Sequence, residues 1–362
     1  MPHPSGHTPK DKAGGDLRLV AWETTRNCNL SCLHCRASAR HGTFTGELDT
    51  RQSLALLDQI AEVGRPIVIL TGGEPLLRPD IFEIARHGTN KGLRMVMAPN
   101  GTLITEDTAR KMADAGIERI SISIDGSTKE SHDRFRGVDG AYDGALKGAF
   151  LAREAGIEFQ INTTITQANM DEIPRIMALA EEVGAVAHHI FLLVPTGRGK
   201  DLADQAISAE NYESTLNWFY DQKKTTTMQL KATCAPQYYR ILRQRAKSED
   251  ISVTFETHGL DAVTRGCLGG TAFCFISHRG IVQPCGFLEL NCGDVTQDHF
   301  KTIWETAPHF LALRDFSNLK GKCGACEYKR VCGGCRARAF EATGDYLSEE
   351  PLCAYQPVKC KT

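Results

Sequence analysis

Three cysteines stand close together at Cys28, Cys32 and Cys35, in the run RNCNLSCLHCR. Thiolates at that spacing can hold three corners of one iron–sulfur cubane and leave the fourth iron open to an outside ligand. The alternative is half of a zinc site, which needs two further ligands close by, and only His34 and His41 stand near. A second group is Thr71-Gly72-Gly73-Glu74-Pro75, directly after an apolar run. Glycines there let backbone come close to a ligand, and Glu74 offers a carboxylate to a cation. A third group gathers late in the chain at Cys267, Cys274, Cys285, Cys323, Cys326, Cys332, Cys335 and Cys353. These thiols suffice for two four-cysteine sites, either iron–sulfur clusters or structural zinc; Cys323, Cys326, Cys332 and Cys335 alone could make a zinc ribbon. Cys234, in KATCAPQYYRILR, stands apart. It is either a buried thiol at a helix start or a substrate-facing thiol or iron ligand beside Tyr238, Tyr239 and Arg240. Cys292 and Cys360 match no cluster spacing.

Composition narrows the setting. The chain has 362 residues, 14 of them cysteine, with 42 Lys plus Arg against 44 Asp plus Glu. That length predicts two or slightly more domains and a large core without staples. The near balance of charge argues against nucleic acid as the main partner, because phosphate binding normally needs a basic excess. No apolar run is long enough to span a membrane. Residues 1–16 are polar, rich in Gly, Pro and His, and lack the apolar stretch of a signal peptide, so a disordered tail is expected. Many cysteines without an export signal point to metal or iron–sulfur ligation in a reducing cytoplasm rather than to disulfides.

The elements that must position these groups follow a repeated grammar. An amphipathic helix ends at a glycine and a short β-branched run follows. It occurs at Gly64 before PIVIL, Gly92 before LRMVM, Gly116 before IERISISI, Gly156 before IEFQINTTI and Gly184 before AVAHHIFLLV. A glycine just past a helix can take the left-handed conformation that closes it. In the first helix Leu54, Leu57, Ile60 and Ala61 share one face, and Asp49 or Thr50 can cap its start. With LRLVAW at 17–22 as a first strand, six strands alternate with helices, which implies parallel β/α units. Six units are too few for a closed eight-stranded barrel, so the expected fold is α/β with an open partial (β/α)6 barrel over 17–207. In such folds the site lies at the carboxyl ends of the strands. The cysteine triplet, Gly72–Glu74, Asn100, Ser123, Asp125, Thr164 and Pro195–Arg198 all fall on that rim. A helical linker is expected over 208–266, with helices at 208–222 and 234–247. A Cys/Gly-rich module folded around metal rather than a large apolar core is expected over 267–362.

The Cys-x3-Cys-x2-Cys run after strand one, GGE after strand two and SISID at strand four together resemble the radical S-adenosylmethionine (SAM) superfamily. The resemblance covers roughly residues 17–200. It implies a [4Fe–4S] cluster on Cys28, Cys32 and Cys35, with the amino and carboxylate groups of SAM on its open iron. It implies that Gly72, Gly73 and Glu74 hold the methionine amino group and that Ser123 and Asp125 lie near the ribose or carboxylate. Asn100 matches a recurrent polar position after strand three. His34 stands where the superfamily usually has Tyr, Phe or Trp, and its ring could stack on adenine. The late cysteines resemble the SPASM extension, which carries auxiliary [4Fe–4S] clusters. The carry-over gives one to Cys267, Cys274, Cys285 and Cys335, and the other to Cys323, Cys326, Cys332 and Cys353. The gap between Cys332 and Cys335 is one residue shorter than usual, which leaves the number of auxiliary clusters at one or two.

A longer set of runs resembles the haem b synthases of the alternative, sirohaem-dependent pathway. It includes RLVAWETTRNCNLSCLHCRA, HDRFRGVDGAYDGAL, HIFLLVPTGRG, LKATCAPQYYRI, TRGCLGGTAFCFISHRGIVQPCGFLE and CGGCRARAFEATGDYLSEEPLC. The implied reaction turns two propionates of iron-coproporphyrin III into vinyl groups. Radical cleavage of SAM would remove a hydrogen from the propionate β-carbon. Loss of carbon dioxide would leave one electron for an auxiliary cluster to accept. Arg198, Lys231 and Arg240 are candidates to hold the tetrapyrrole carboxylates by paired hydrogen bonds. The resemblance also implies an electron donor of flavodoxin or ferredoxin type. A SPASM peptide or sulfatase maturase is the other enzymatic reading; the short tail before residue 17 has no room for a leader-recognition domain. A non-catalytic zinc protein would leave GGE and SISID unexplained.

Overall fold

The computed structural model describes residues 16–358. The tail expected over residues 1–16 therefore lies, apart from Asp16, outside the described residues, as does Cys360. One ten-stranded sheet runs through the molecule. The six expected strands are β1 (Leu19–Glu23), β2 (Ile67–Thr71), β3 (Arg94–Met97), β4 (Arg119–Ser123), β5 (Glu158–Ile165) and β6 (Ala187–Leu192). They pair in parallel and in chain order. Helices α1 (Thr50–Val63), α2 (Ile81–Asn90), α3 (Glu106–Asp114), α4 (Lys129–Arg136), α5 (Ala141–Glu154) and α6 (Ile173–Glu182) supply the crossovers.

Local chemistry explains the boundaries. Asp49 caps α1 by accepting the Gln52 N–H at 2.7 Å, and the Gln52 side chain accepts the Asp49 N–H at 2.9 Å. Such a reciprocal cap contributes about 1 kcal/mol. Leu57 and Ile60 of α1 are fully buried against Val68 and Leu70 of β2. Each such side chain contributes roughly 1.5–3 kcal/mol by leaving water. Of the five helix-ending glycines, Gly92, Gly116, Gly156 and Gly184 are left-handed, with φ between +75° and +83°. Gly64 differs: at φ 170° it is extended, and it leaves α1 without a left-handed turn.

The sheet continues beyond the six expected strands. After α7 (Ala209–Gln222) a seventh parallel strand, β7 (Gln229–Thr233), pairs with β6 before α8 (Gln237–Ser248). The expected helical linker thus contains one more β/α unit. On the other side β8 (Phe273–Ile276) pairs in parallel with β1, and β9 (Ile281–Gln283) and β10 (Gly293–Asp294) follow antiparallel. The run from β8 through β1 to β7 holds eight parallel strands, yet β7 ends the sheet and is not paired with β8. The barrel is open along that seam.

The late module does not fold around metal alone. Phe300, Ile303, Trp304 and Phe310 belong to the same apolar core as Val20 and Trp22 of β1. The reason is β8, whose apolar FCFI run adds a full parallel ladder to β1. Inside the barrel, Ser123, Asn162, His189 and Lys231 are register partners across β4 to β7 and form one polar row.

Candidate active site

The loop after β1 gathers Cys28, Cys32 and Cys35 with Leu30, Ala37 and Ala39 in one small apolar cluster. Each sulfur receives an N–H: Leu30 donates to Cys28 at 3.4 Å, Ala39 to Cys35 at 3.4 Å, and the Arg136 guanidinium to Cys32 at 3.6 Å. Donors aimed at sulfur favour the thiolate. Burial alone works the other way and, despite the Leu30 N–H, pushes the Cys28 thiol up to about 12. Thiols so placed become thiolates when a positive centre binds them.

Gly72 and Gly73 make a close backbone approach, but to protein. A Cβ on Gly72 would run into the Thr25 carbonyl, and one on Gly73 into that of Asn27. The Gly73 N–H donates to Thr25 at 2.6 Å and the Glu74 N–H to Asn27 at 2.7 Å. The glycines thereby lock the end of β2 to the cysteine loop. Glu74 is fully buried. Its carboxylate accepts the backbone N–H of Leu76 at 3.0 Å and of Asn100 at 2.6 Å. No cation pairs with it among the described residues, and burial lifts its pKa to about 7 against those two hydrogen bonds. The Asn100 side chain is spent locally, donating to Asn29 at 2.8 Å and accepting from Thr102 at 2.7 Å.

Asp125 is also committed. It accepts the Thr164 N–H at 2.6 Å and is ion-paired with Arg136. Arg136 was not singled out in the sequence, although HDRFRG carries it. Burial opposes its charge, but Asp125 and Cys32 outweigh that and hold it firmly protonated. It therefore ties the end of β4 to the middle cysteine. Ser123 faces the barrel interior in the polar row, beside Asn162. One face of the His34 ring stacks on Phe135, with centroids 4.4 Å apart. Burial, with Arg136 and Arg198 beside it, holds His34 neutral.

Two of the three expected carboxylate holders have other partners. Arg198 donates to the carbonyls of Cys32 at 2.9 Å and Ala39 at 2.6 Å, so it staples the cysteine loop. Arg240 is buried and paired with Glu213 at 2.8 Å and Gln244 at 2.7 Å, under the Tyr355 ring. Most of the Arg240 donors are spent on Glu213 and Gln244, whereas the Nη2 of Arg198 is buried without a hydrogen-bond partner among the described residues. Lys231 remains: it faces the barrel interior from β7. Burial pulls its pKa down, with Asp261 opposing.

The late thiols divide into two sets. Cys323, Cys326, Cys332 and Cys353 line one open-sided pocket together with Arg240, Lys322 and Lys329. Glu350, Tyr328 and Gly334 donate backbone N–H groups to Cys323, Cys326 and Cys332 at 3.4–3.5 Å. Gly333 and Gly334, both left-handed at φ +79° and +63°, turn the chain between Cys332 and Cys335. The shortened gap is thus spanned, and Cys335 points to the other set. That set holds Cys285 and Cys335, packed together with Cys234. Cys267 lies within electrostatic reach of both Cys285 and Cys335. Cys274 is not there. It is fully buried in mid-β8, in the core shared with Val20 and Trp22, with Cys292 as its thiol neighbour. Strand alternation explains this: the register that pairs Cys274 with Val20 turns it toward the helices, away from the barrel interior.

The donor chemistry fits the cofactors. All thirteen described cysteines are free. Three carry N–H donors at one strand end, and an unpaired buried carboxylate beside them suits an ammonium group. Among the described residues no group of three or more His, Cys, Asp or Glu side chains is placed to hold a single metal ion.

A parallel sheet with a cysteine triplet on its carboxyl rim, followed by further thiol sets, defines an iron–sulfur enzyme that uses SAM. The chain belongs to the radical SAM superfamily, whose model matches residues 22–180, and an iron–sulfur cluster-binding (SPASM) domain matches residues 267–336. It is 56% identical to the AdoMet-dependent haem synthase of Nitratidesulfovibrio vulgaris, over 98% of this chain and 97% of the relative. It is 30% identical to the Fe-coproporphyrin III synthase of Methanosarcina barkeri, over 92% of this chain and 87% of that one. Among solved structures, SuiB of Streptococcus suis bound to its precursor peptide SuiA matches the fold. The TM-score is 0.74 at 17% identity, over 94% of this chain and 76% of that one. The protein is thus a radical SAM enzyme of haem biosynthesis with a SAM-binding [4Fe–4S] cluster and auxiliary clusters. Among the described residues no helix is long and apolar enough to cross a membrane.

Proposed function

We propose that the enzyme makes haem b by oxidative decarboxylation of two propionates of iron-coproporphyrin III. The observation that carries this reading is likeness along nearly the whole chain to a relative named haem synthase, at 56% identity against 30% for the Fe-coproporphyrin III synthase. Each propionate gives up carbon dioxide, one hydrogen atom and one electron to become a vinyl group. The bound cofactors supply the hydrogen acceptor, through SAM, and the electron acceptor, through an auxiliary cluster.

This chain's residues hold the parts in place. Cys28, Cys32 and Cys35 would hold the SAM-binding cluster, with Arg136 and Arg198 fixing their loop. Glu74 would accept the methionine ammonium, which replaces the missing cation beside a buried carboxylate. Ser123 faces the same interior, while Asp125 and Asn100 act by bracing the loops around it. Lys231, with His189 next to it in the polar row, would meet a substrate carboxylate within the barrel. The outer set Cys323, Cys326, Cys332 and Cys353 would hold one auxiliary cluster. A flavodoxin- or ferredoxin-type donor and a cytoplasmic setting complete the reading.

The test is anaerobic reconstitution with iron and sulfide, then incubation with SAM, a strong reductant and iron-coproporphyrin III. Mass spectrometry of the tetrapyrrole should show two successive losses of carbon dioxide plus two hydrogens. SAM cleavage with an unchanged tetrapyrrole would move the assignment to another tetrapyrrole step or to a peptide.

A further inference from the structure

Cys234, and not Cys274, stands with the thiols among which the SPASM resemblance places Cys274. Cys274 lies in the helix-covered core, whereas Cys234 packs with Cys285 and Cys335 at the carboxyl ends of β6 and β7. The backbone at Cys234 is unusual as well. Its φ is +53°, and it shares that left-handed region with only Ser38 and Asp250 among the described non-glycine residues. Asn, Asp and Gly tolerate this conformation, but cysteine has no local hydrogen bond that favours it. A strained residue kept at such a point indicates that its side chain has a task.

One network holds the strained turn. The buried Arg338 guanidinium donates to the Cys234 carbonyl, as does the Tyr212 hydroxyl at 2.9 Å. Arg338 also donates to Glu350 at 2.9 Å, and Glu350 accepts the backbone N–H of Cys335 at 2.6 Å. The same carboxylate–guanidinium pair therefore positions two thiols that lie far apart in the chain. Cys267 lies within electrostatic reach of Cys234, Cys285 and Cys335, and its N–H donates to the Cys332 carbonyl at 3.1 Å.

We propose that Cys234 supplies the fourth corner of the inner auxiliary cluster, together with Cys267, Cys285 and Cys335, and that Cys274 is a core thiol. The inference rests on the auxiliary-cluster chemistry and is independent of which tetrapyrrole the enzyme converts. The Cys234 thiol would give its proton to solvent and the resulting thiolate would bind iron, with no change of oxidation state.

The experiment uses the full chain carrying Cys28→Ala, Cys32→Ala and Cys35→Ala, so that only auxiliary clusters contribute. Iron and sulfide content, Mössbauer and electron paramagnetic resonance (EPR) spectra are compared after adding Cys234→Ala, Cys234→Ser or Cys274→Ala. Cys234→Ala should lower the iron content by one iron or by one whole cluster. Cys234→Ser, which keeps the shape and offers oxygen, should keep the iron but shift the signals of one cluster. Cys274→Ala should leave both readouts unchanged. The unshifted signal of the outer cluster reports that each variant is folded. Iron content and spectra unchanged in both Cys234 variants, or a cluster lost only in Cys274→Ala, would overturn the proposal.

Discussion

Arg36 donates to the carbonyl of Gly286 at 3.3 Å. The first residue follows the last cysteine of the SAM-binding triplet and the second follows Cys285 of the inner auxiliary set. The same guanidinium covers the Phe275 ring at 4.4 Å and lies 3.6 Å from the buried Glu23. Burial would raise the Glu23 pKa, but His278, Arg36 and Arg26 outweigh it and hold the carboxylate charged. One side chain thus braces two cofactor sites against each other. Arg36→Ala should preserve SAM cleavage but loosen its coupling to substrate, so that more 5′-deoxyadenosine forms per vinyl group. Equal yields in variant and parent would remove the bracing role.

The triple change of Cys28, Cys32 and Cys35 to Ala should abolish SAM cleavage and spare the iron of the auxiliary sites. Changing Cys323 and Cys326 should do the converse: SAM is cleaved but little haem appears. Both are read by chromatography of 5′-deoxyadenosine beside iron analysis. Deoxyadenosine from the triple variant would defeat the cluster assignment.

Glu74 predicts a pH dependence. Its folded pKa of about 7 lies above its ordinary value of 4.5, so folded protein binds the proton more tightly than unfolded protein does. The associated stability is present in full below about pH 4.5, declines as the pH rises and is gone above about pH 7, a swing of about 3 kcal/mol. Glu74→Gln should flatten that decline in the cofactor-free protein and weaken SAM binding. Thermal unfolding between pH 5 and 8 checks the first effect; parallel profiles for variant and parent would contradict it.

Gly197 turns the chain after β6 at φ +56°, and a Cβ there would meet the carbonyls of Cys35 and Arg36. Gly197→Ala combines left-handed strain of about 1–2 kcal/mol with that overlap. It should lower the melting temperature and cut iron bound at the triplet. A variant that kept full iron and an unchanged melting temperature would show that the contact is slack.

Lys231→Met keeps the length of the side chain and removes its charge. If the ammonium meets a substrate carboxylate, KM for the tetrapyrrole should rise about tenfold or more while SAM binding stays constant. A change in SAM affinity alone would place Lys231 elsewhere in the reaction.

Five of the first six strands, β2 to β6, were legible because each follows a glycine that ends a helix, and β1 because LRLVAW is an apolar run ahead of them. β7 was not: QLKAT alternates polar and apolar residues, and its charged Lys231 points into a barrel interior that sequence alone cannot show to be polar. The thiol triplet and Glu74 were legible because their spacing is local. Cys234 was not, since its partners come together only through the fold. Arg198 and Arg240 read as free charges because sequence cannot reveal that main-chain carbonyls occupy one and Glu213 the other. Arg136 could have been noticed only by asking what neutralises a buried Asp125.

The unpaired seam between β7 and β8 bears on the size of what the enzyme can admit. A ring of eight strands sealed by ladder hydrogen bonds has a fixed girth and fills its bore with its own side chains. Here no backbone ladder sets the spacing on that flank; side chains and thiols at the top of the strands do. No strand pairing would have to break for that flank to widen. Under the proposed function, a flat macrocycle would enter by that flank, which a fully sealed barrel would close.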